Sequence, residues 1–499
     1  MSQPRTVQVQ RLPLAALAGV GAGVLLGLAS LWQSSLLVLA GVGGAALVIT
    51  AVRRAELALL GLLALTSTVL TQRQMPVIPI GVGNLYASDA ITAGLLGLVV
   101  LRPVVDPHFR LQRSPLYWPL AAFWGLAMAS AAVAMATGAV TLQFSIDEIR
   151  VVNGYLLLAV TANLLVRQQQ VRVLVYGLYG LAAGVALAML AQFALGPSLA
   201  LFEGRVETLA TEGRRFQGIT RVLMPGQSLV LVAAMAAGAG LVAERLRARH
   251  LYLLLVAALT GGAVLLTFNR NFWVAVALGL ALLFVVSQGS RRRRLIAWGA
   301  AAALAAVLVV LAAWQEPDAR PARLIRAAAD RFTSLVRSDT YQANAQSTLR
   351  WRDVEYRYAL PQIALHPFLG VGLGNVYRER VPELDGYSAD LRRYVHNGHV
   401  YLALKAGVPA YLAFLWLSLA YVWRGLRGWR HVRVPWMRGP VLGFCLAYLG
   451  VLVGSWTGPM TFELYWTPVL GVMMGAQEAI LAGWGHARRA GEAEEEGAP

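Results

Sequence analysis

Cysteine and lysine are almost absent from this sequence. Cys445 is the only cysteine and lies within an apolar run, which excludes a disulfide framework and a metal site built from cysteines. Lys405 is the only lysine, so all other basic residues of the chain are arginines. Charged residues of both signs make up 14% of the chain, whereas soluble proteins usually carry about 25%. This deficit argues against a soluble protein of ordinary composition.

Long apolar runs take the place of the missing charge. Hydrophobic residues occupy 58% of the 499 positions, and runs of about 20 residues, the length that crosses a bilayer, recur along the chain. The first run is too long for a signal peptide and is followed at once by another, so it predicts an uncleaved first helix. The sequence therefore predicts an all-α integral membrane protein with about fourteen transmembrane helices. The predicted spans are 13–32, 35–52, 56–71, 89–102, 116–139, 149–166, 171–195, 222–243, 250–268, 272–288, 295–314, 398–423, 439–456 and 467–483.

The basic residues predict how these helices are oriented. The net charge is +18, but no nucleic-acid-binding motif accompanies it, so nucleic acid is not an expected partner. Arginines cluster instead in alternate short connections, which places those connections and both termini in the cytoplasm. These clusters are Arg53/Arg54, Arg102/Arg110/Arg113, Arg167/Arg172, Arg245/Arg247/Arg249, Arg291–Arg294 and Arg424/Arg427/Arg430/Arg433/Arg438.

The spans divide the chain into five predicted parts: helices and first outer loops over 1–221, central helices over 222–314, a large periplasmic loop over 315–395, C-terminal helices over 396–484, and a disordered cytoplasmic tail over 485–499. Within the large loop, an amphipathic pattern predicts a helix over Arg320–Arg337 that lies in the membrane interface. A second helix is predicted over Thr348–Leu360 and should end at Pro361. A connection of this length is usually functional.

A pair of histidines is the first candidate for chemistry. His396, Asn397 and His399 stand at the start of the predicted span 398–423, and imidazole is the side chain best suited to accept a proton near neutral pH. From spacing alone, an interfacial histidine that anchors a helix end is the favoured interpretation. Two histidines three residues apart, without a nearby carboxylate or cysteine, are a weak zinc signal. Lys405 is expected to lie too deep and too far around the helix to join them.

Arginines on the same outer face are the second candidate. Arg214, Arg215 and Arg221 precede the span 222–243, and Arg270 stands in a very short turn between two apolar helices. A charge held at the membrane boundary is a functional hypothesis by default, and arginine pairs with phosphate through two hydrogen bonds. The alternative is contact with lipid headgroups. A lipid-linked phosphate substrate would satisfy both interpretations.

Two other patterns carry less weight. The glycine-rich stretch 370–375 lacks a preceding strand and the full nucleotide-binding spacing, so a turn that returns the loop to the membrane is expected there. The acidic residues are scattered and nothing in the sequence pairs them, so a mechanism with two carboxylates has no support. The most prominent are Asp147, Glu148, Glu203, Glu207, Glu212, Glu355 and Glu463.

Four segments together resemble the O-antigen ligase and O-antigen polymerase superfamily. His396-Asn397, followed after nine residues by Gly407-Val408-Pro409-Ala410, resembles its H-N-x9-G-x-x-G signature. The other three are Thr267–Trp273, similar to a T-x-S-R-x-x-W turn; Arg350-Trp351 through Asn375, similar to an R-W to hP-l-x-G-x-G-x-x-N stretch; and Arg215–Gly218 with Pro225, similar to an R-x-x-G to P-N element. The departures are Ala410 for glycine, Asn269 for serine and Gly226 for asparagine. The clear resemblance covers about residues 205–425.

The resemblance implies a metal-independent, inverting glycosyltransferase with a GT-C-like membrane fold and no cofactor. It would take an oligosaccharide from undecaprenyl pyrophosphate at the periplasmic face of the bacterial inner membrane. Arg270 and Arg215 would stabilise the pyrophosphate, with Arg214 or Arg221 as substitutes for Arg215, and His396 would accept the proton of the attacking hydroxyl. His399 is the reserve for that role. Arg350 and Asn397 are expected to serve the acceptor or the loop, which would act as a lid.

The acceptor distinguishes members of the superfamily. A polymerase extends a lipid-linked repeat, and is the first expectation here because of the span count and the lack of a large C-terminal domain. A ligase transfers the glycan to the lipid A core and is a near-equal alternative. From another class, a transporter or flippase of lipid-linked sugars stays open, although no internal repeat of the kind common in transporters is visible.

Overall fold

The computed structural model of the chain describes residues 50, 53–75, 77–79, 84–106, 109–211, 214–244, 250–315, 319–333, 348–381 and 391–484. The predicted spans 13–32 and 35–52, apart from Thr50, lie outside the described residues, as does the tail 485–499. The described part is mainly helical, with two short β-hairpins.

The helices are α1 Ala55–Thr66, α2 Ala87–Val105, α3 Tyr117–Ala136, α4 Leu142–Asn153, α5 Leu157–Leu164, α6 Gln168–Leu195, α7 Gln227–Ala243, α8 Leu251–Leu266, α9 Arg270–Val286, α10 Ser290–Gln315, α11 Arg320–Thr333, α12 Thr348–Leu365, α13 Gly398–Ala406, α14 Val408–Gly428, α15 Pro435–Gly454 and α16 Thr467–Trp484. The strands are β1 Val77–Pro79, β2 Asn84–Tyr86, β3 Arg205–Thr211 and β4 Arg214–Leu223.

Many of these helices suit a membrane. Five in the described part, α2, α3, α6, α10 and α15, are long and apolar enough to cross a bilayer, and α1, α7, α8 and α9 are shorter apolar helices. Along α10 the side chains of leucine and valine residues are exposed, as expected of a helix that faces lipid. The expected helical membrane protein is confirmed in this general form, and the count of fourteen spans stays a prediction.

The buried centre of the bundle consists largely of α15 and α16. Gly443 of α15 lies directly against the backbone of Ala236 in α7, and Gly439 lies against Gly240 one turn further on. A side chain at either glycine would separate the helices, because nothing larger than hydrogen fits between the two backbones. Small residues allow this close approach between transmembrane helices, where dispersion contacts replace the hydrophobic drive.

The predicted span 398–423 is two helices and not one. α13 ends at Ala406 and α14 begins at Val408, with Gly407 between them at φ +87°. That left-handed conformation is open to glycine and strained for other residues, and Pro409 follows within the first turn of α14, where its missing N–H costs nothing. The break therefore falls at Gly407.

The glycine-rich stretch packs against this break. Val371 donates its N–H to the carbonyl of Leu404 at 2.8 Å, and Gly372 donates to Lys405 at 3.1 Å. The backbone of Gly370, at φ +64°, lies so close to Leu404 that a Cβ atom there would collide with it. The expected turn is present, and its role is to satisfy the carbonyls that the broken helix leaves without partners.

Lys405 anchors the same stretch from inside the bundle. Its Nζ donates to Glu148 Oε1 at 2.8 Å and to the carbonyl of Asn375 at 2.6 Å, and the side chain is fully buried. Glu148 Oε2 in turn accepts the N–H of Gly374 at 2.6 Å. Lys405 therefore binds Glu148 and the backbone of Asn375 and does not join the histidines, as predicted from the sequence. The partner of Glu148 was not apparent from the sequence.

We expect Lys405→Met to lower the free energy of unfolding by about 2–4 kcal/mol, since it leaves the half-buried Glu148 carboxylate without its countercharge. The measurement is the apparent melting temperature in detergent. The double variant Lys405→Met/Glu148→Gln should recover a large part of the loss, because no buried charge is left unpaired. A single variant as stable as the parent would contradict the stabilising role of this pair.

The predicted span 149–166 is also interrupted. α4 ends at Asn153, a 3-10 turn covers Gly154–Leu156, and α5 has eight residues. Gly154 sits against Thr467 at the start of α16, with no room for a Cβ atom. The chain therefore tightens at this point because α16 passes within contact distance.

The segment before the predicted span 222–243 contains two strands. β3 and β4 pair antiparallel from Arg205↔Leu223 to Thr211↔Arg214, with an irregularity between Thr208 and Ala210. The alternation went unrecognised because arginine, glutamine and threonine stand on both faces of β4, which hides the period-two pattern. The all-α expectation is corrected by this hairpin and by the short β1–β2 pair.

Helix α11 covers the β3–β4 hairpin. Ala327 of α11 is buried with Leu209, Ile219 and Phe268 in a small separate core. One side of the helix packs on protein through Leu324, Ala327 and Ala328, whereas Phe332 is exposed. Its expected place in the membrane interface stays a prediction. Of the predicted range Arg320–Arg337, the described helix ends at Thr333, and the residues beyond it lie outside the description.

Helix α12 does not end at Pro361 as predicted, but continues to Leu365 with the proline inside. Proline cannot donate to the carbonyl four residues earlier, which here belongs to Arg357. Arg357 lies on an exposed surface of the helix, where solvent can satisfy that carbonyl. The cost of the interior proline is therefore lower than in a buried helix.

Candidate functional site

Asn397 fixes the start of α13. Its Oδ1 accepts the N–H of His399 at 2.9 Å and that of Val400 at 3.2 Å, which is the geometry of a helix N-cap. Its amide donates to the hydroxyl of Tyr356 in α12 at 3.0 Å. Asn397 is buried, and these hydrogen bonds connect α12 to α13. Its contacts explain why asparagine follows His396: it holds that residue in place at the end of the bundle.

Glu355 of α12 holds His396 by two hydrogen bonds. Its Oε1 lies 2.6 Å from His396 Nδ1, and its Oε2 accepts the backbone N–H of His396 at 2.9 Å. The carboxyl is 1% exposed, whereas the side chain of His396 is 32% exposed. Because a carboxylate can only accept, Nδ1 carries the hydrogen and Nε2 keeps its lone pair. This arrangement makes Nε2 the atom of His396 that can take a proton.

Sequence reasoning missed Glu355. It stands 41 residues before His396 and was counted among the scattered carboxylates. The signal that could have found it is its place between Trp351 and Pro367, inside the stretch that resembles the superfamily. Its place inside that stretch is a more informative clue than its separation of 41 residues from His396.

Tyr394 closes one side of the histidine. Its ring meets that of His396 edge to face, with centroids 4.9 Å apart, and its hydroxyl donates to Glu463 Oε1 at 3.2 Å. Burial, and then the nearby charge of Glu463, raise the pKa of Tyr394 well above its ordinary value. The phenol therefore stays protonated and keeps Glu463 as a hydrogen-bonded neighbour of the site.

His399 turns into the bundle. Its Nε2 lies 3.0 Å from the carbonyl of Leu452, and its Nδ1 lies 3.4 Å from the hydroxyl of Tyr411. The ring also packs against Trp456 at 4.9 Å. Both nitrogens thus have partners in α14 and α15. The structure does not pair His399 with Glu355, and no described contact supports its reserve role.

Arg270 is the first residue of α9. Asn269 caps this helix by accepting the N–H of Asn271 at 3.1 Å, and Thr267 Oγ1 accepts the N–H of Asn269 at 3.1 Å. Phe268 adopts φ +49°, which is uncommon for a bulky residue. Strained backbone of this kind persists where the surroundings require it. Here the strain and the two side-chain bonds define the tight turn from which Arg270 projects.

Two further arginines converge on this turn. Arg221 of β4 donates from Nε to the carbonyl of Thr267 at 3.3 Å, and Arg331 of α11 donates from Nε to the carbonyl of Phe268 at 3.1 Å. Burial, followed by the charges of Arg221 and Arg270, lowers the pKa of Arg331 to about 10. The three guanidinium groups therefore lie close enough to act on one another. We call Arg221, Arg270 and Arg331 the arginine cluster.

Glu207 is the described carboxylate beside the cluster. Its Oε1 lies 3.3 Å from Arg221, and its Oε2 lies 3.0 Å from Arg205. Burial, and then the charge of Arg205, lower the pKa of Arg221, which Glu207 partly offsets. A guanidinium with a depressed pKa gains from the arrival of an anion. The arrangement therefore favours a doubly or triply negative ligand over a neutral one.

The hairpin brings Arg221 to the turn that precedes Arg270. In the register, Arg215 lies opposite Ala210 and Arg214 opposite Thr211, next to the hairpin turn. Six residues of strand, or about 20 Å of rise, separate Arg215 from Arg221. Arg221, the predicted substitute for Arg215, therefore has described contacts at the turn. Arg214 and Arg215 stay predictions.

The arginine cluster and the histidine are connected through one loop. Thr457, after α15, bonds through Oγ1 to Asn271 in the first turn of α9 and accepts at its carbonyl from Arg352 of α12 at 2.7 Å. Arg352 precedes Glu355 by three residues, within one turn of helix. The loop after α15 therefore holds both halves of the site at the same end of the bundle. Arg350, the residue predicted from the sequence, lies in the first turn of α12.

This end of the bundle combines an imidazole held by a buried carboxylate with clustered guanidinium groups. Among the described residues, no group of three or more His, Cys, Asp and Glu side chains is placed to hold a metal ion. Arg331 was not predicted, because its helix was interpreted as interfacial. Its signal was the run of arginines on one side of an amphipathic helix in the large loop.

Comparison with known proteins identifies part of the chain. Residues 253–415 match the family model described as O-antigen ligase. The match runs from α8 into α14 and includes Arg270, Arg331, Glu355 and His396. It confirms the resemblance to the O-antigen ligase and polymerase superfamily over this part of the chain. No curated protein matches the chain.

Proposed function

We propose, from the match of residues 253–415 to the O-antigen ligases, that this protein is an inverting, metal-independent glycosyltransferase. It moves an oligosaccharide from undecaprenyl pyrophosphate to a sugar acceptor at the periplasmic face of the bacterial inner membrane, as a polymerase of O-antigen or another surface polysaccharide. The observation that carries the proposal is the hydrogen-bonded pair of Glu355 and His396, joined by one loop to the arginine cluster.

The leaving group explains the arginine cluster. When the anomeric carbon–oxygen bond breaks, its electron pair stays on the pyrophosphate oxygen, where negative charge increases. Arg221, Arg270 and Arg331 are already placed around one turn, so their guanidinium groups can meet that charge without rearrangement. Pyrophosphate leaves readily once its charge is stabilised, so no acid that protonates it is required.

The acceptor explains the histidine. The hydroxyl oxygen forms the new bond to the anomeric carbon on the face opposite the pyrophosphate, which inverts the configuration. Its proton passes to Nε2 of His396, and the imidazolium that forms is stabilised by Glu355 at Nδ1. Because the carboxylate also binds the backbone N–H of His396, the ring is oriented before the substrates arrive.

The sidedness rests on the arginine-rich connections. Arg424 and Arg427 lie towards the end of α14 that is remote from Gly407, and His396 precedes α13 on the other side of that break. If the arginine-rich connections face the cytoplasm, the site faces the periplasm. Lipid-linked glycans and their acceptors meet at that surface.

A ligase that uses the lipid A core as acceptor is the second candidate, favoured by the match to the O-antigen ligase family. The test supplies purified protein with lipid-linked oligosaccharide and either a second lipid-linked repeat or lipid A core. A lengthened lipid-linked product supports the polymerase, and glycosylated core supports the ligase. Transfer to neither acceptor, with the donor moved across vesicle membranes instead, would overturn the enzyme and indicate a transporter.

We expect Glu355→Gln to lower kcat by about 10–1,000-fold with little change in KM for the donor, because an amide binds Nδ1–H less well and stabilises the imidazolium less. Steady-state rates against donor concentration measure the effect. The matched control is Asp353→Asn on the same helix, where the carboxylate pairs only with exposed Arg357 in the described contacts. Equal effects of both variants, or a change confined to KM, would contradict the positioning role.

A further inference from the structure

An open groove lies next to the candidate site and belongs to no part of the chemistry described above. Its volume is about 820 Å³, within the range of roughly 300–1,000 Å³ that ligand pockets occupy. Three separate segments form its walls: the turn after α1, the segment between α6 and β3, and the residue two before α16. The lining residues are Thr71, Gln72, Arg73, Ala200, Leu201, Phe202, Glu203, Gly204 and Tyr465.

One end of the groove adjoins the arginine cluster. Gly204 in its wall directly precedes Arg205, and two residues further along β3 Glu207 binds Arg221 at 3.3 Å. Strand rise of about 3.3 Å per residue puts Glu207 only about 10 Å from Gly204. A ligand whose phosphates occupy the cluster can therefore extend into the groove by spanning about 10 Å.

A chain of contacts links the other end of the groove to the histidine. Tyr465 in the wall follows Glu463 by two residues, and Glu463 binds the hydroxyl of Tyr394, whose ring contacts His396. Described contacts therefore link the groove both to the predicted pyrophosphate side and to the proton-accepting side of the site. The sugar that reacts must sit between these two sides, so the groove lies along the path by which its remaining sugar units can leave.

The walls are held rigid by their own hydrogen bonds. The hydroxyl of Tyr465 accepts the N–H of Gln72 at 2.8 Å, and the side-chain amide of Gln72 donates to the hydroxyl of Tyr86 at 3.1 Å. Thr71 Oγ1 donates to Glu203 Oε2 at 2.7 Å. These contacts leave acceptor capacity on Gln72 Oε1 and Glu203 Oε1 at the groove surface.

The same surface matches the chemistry of sugars. Hydroxyl groups both donate and accept, and here they meet carboxylate, amide, guanidinium and phenol groups from Glu203, Gln72, Arg73 and Tyr465. The partly buried ring of Phe202 adds an aromatic face, against which the apolar C–H face of a pyranose can pack. An acyl chain would find too many polar groups, and a single phosphate would leave most of the volume empty.

We propose that this groove is a binding site for the oligosaccharide of the lipid-linked substrate, holding the sugar units beyond the one that reacts. The proposal rests on the proposed function, since it assumes a lipid-linked glycan at the arginine cluster. It assigns to Phe202, Glu203, Gln72 and Tyr465 a role in recognising the length of the glycan. The reacting sugar and the pyrophosphate do not require these residues.

The chain offers a direct binding test because its single cysteine, Cys445, is buried. Phe202→Cys therefore introduces one accessible thiol in the groove of the full-length protein in detergent. The rate of its modification by a maleimide is measured with undecaprenyl pyrophosphate that carries the oligosaccharide and with undecaprenyl pyrophosphate that carries no sugar. We expect the glycan-bearing lipid to slow the modification at least fivefold and the bare lipid to leave it unchanged.

The matched control is Leu142→Cys, an exposed position at the start of α4, whose modification rate should respond to neither lipid. Equal protection of Phe202→Cys by both lipids would overturn the proposal in favour of a lipid site. No protection by the glycan-bearing lipid, in protein that transfers glycan, would overturn it as well. Protection without transfer to any acceptor would uphold the groove and refute the enzyme.

A second readout uses activity on donors of different glycan length. Glu203→Ala should raise KM for a donor that carries several sugars by about tenfold, and should leave KM for a donor that carries one sugar within twofold. An equal rise for both donors would assign Glu203 a structural role and contradict the length-recognition site.

Discussion

Alanine in place of His396 is expected to lower kcat for glycan transfer by about 100–10,000-fold, the range that a positioned general base contributes. The imidazole of His396 is partly exposed, and its Nδ1 binds the buried carboxylate of Glu355. Without it, the proton of the acceptor hydroxyl has no oriented recipient at the moment the bond to the anomeric carbon forms. The measurement is the rate of product formation with saturating donor and acceptor.

The binding of the donor should survive this change. His396 takes no part in the arginine cluster, so the apparent affinity for the lipid-linked donor is expected to change less than threefold. His431→Ala, at an exposed position beyond the far end of α14, is the matched control and should leave kcat unchanged. Transfer by His396→Ala at the rate of the parent would refute the base, and a parallel loss in the control would attribute the effect to the preparation.

Alanine in place of Arg270 is expected to lower kcat/KM for the donor by about 100–1,000-fold, comparable with the loss of one donor to a developing negative charge. The residue stands at the centre of the arginine cluster, at the end of a turn whose backbone is fixed by Asn269 and Thr267. Arg270→Lys should recover little, because an ammonium is a point charge and cannot form the paired hydrogen bonds of a guanidinium.

The dependence of the rate on donor concentration distinguishes this effect from a loss of folding. Arg427→Ala is the matched control, since Arg427 lies over the ring of Trp423 at the far end of α14, and it should leave the donor dependence as in the parent. An Arg270→Ala variant with the same donor dependence as the parent would remove Arg270 from pyrophosphate recognition. The assignment would then pass to Arg221 and Arg331.

The periodicity and composition of the sequence were sufficient for the helical membrane character, which the apolar helices confirm. They were insufficient wherever a tertiary contact interrupts a helix. The run 398–423 is mainly apolar, and only the contact of Gly370 and Val371 with the end of α13 shows why the chain breaks at Gly407. The same holds for Gly154, whose position is set by Thr467.

The candidate site was predictable where its residues are neighbours in sequence. His396 and Asn397, and the turn that ends in Arg270, could be read directly, because each is a local pattern. Glu355 and Arg331 could not, since their roles depend on packing between distant segments: α12 against the start of α13, and α11 against a hairpin that the pattern did not show. Long-range pairing of this kind leaves no trace in a single sequence.

The burial of Lys405 has a practical consequence. It is the only side-chain amine in the chain, and in the folded protein it is inaccessible beneath the stretch 370–375. An amine-reactive dye can therefore reach a lysine only while that stretch is lifted from the helix break. The rate at which the dye is incorporated at Lys405 therefore measures how often this stretch opens, without any engineered label.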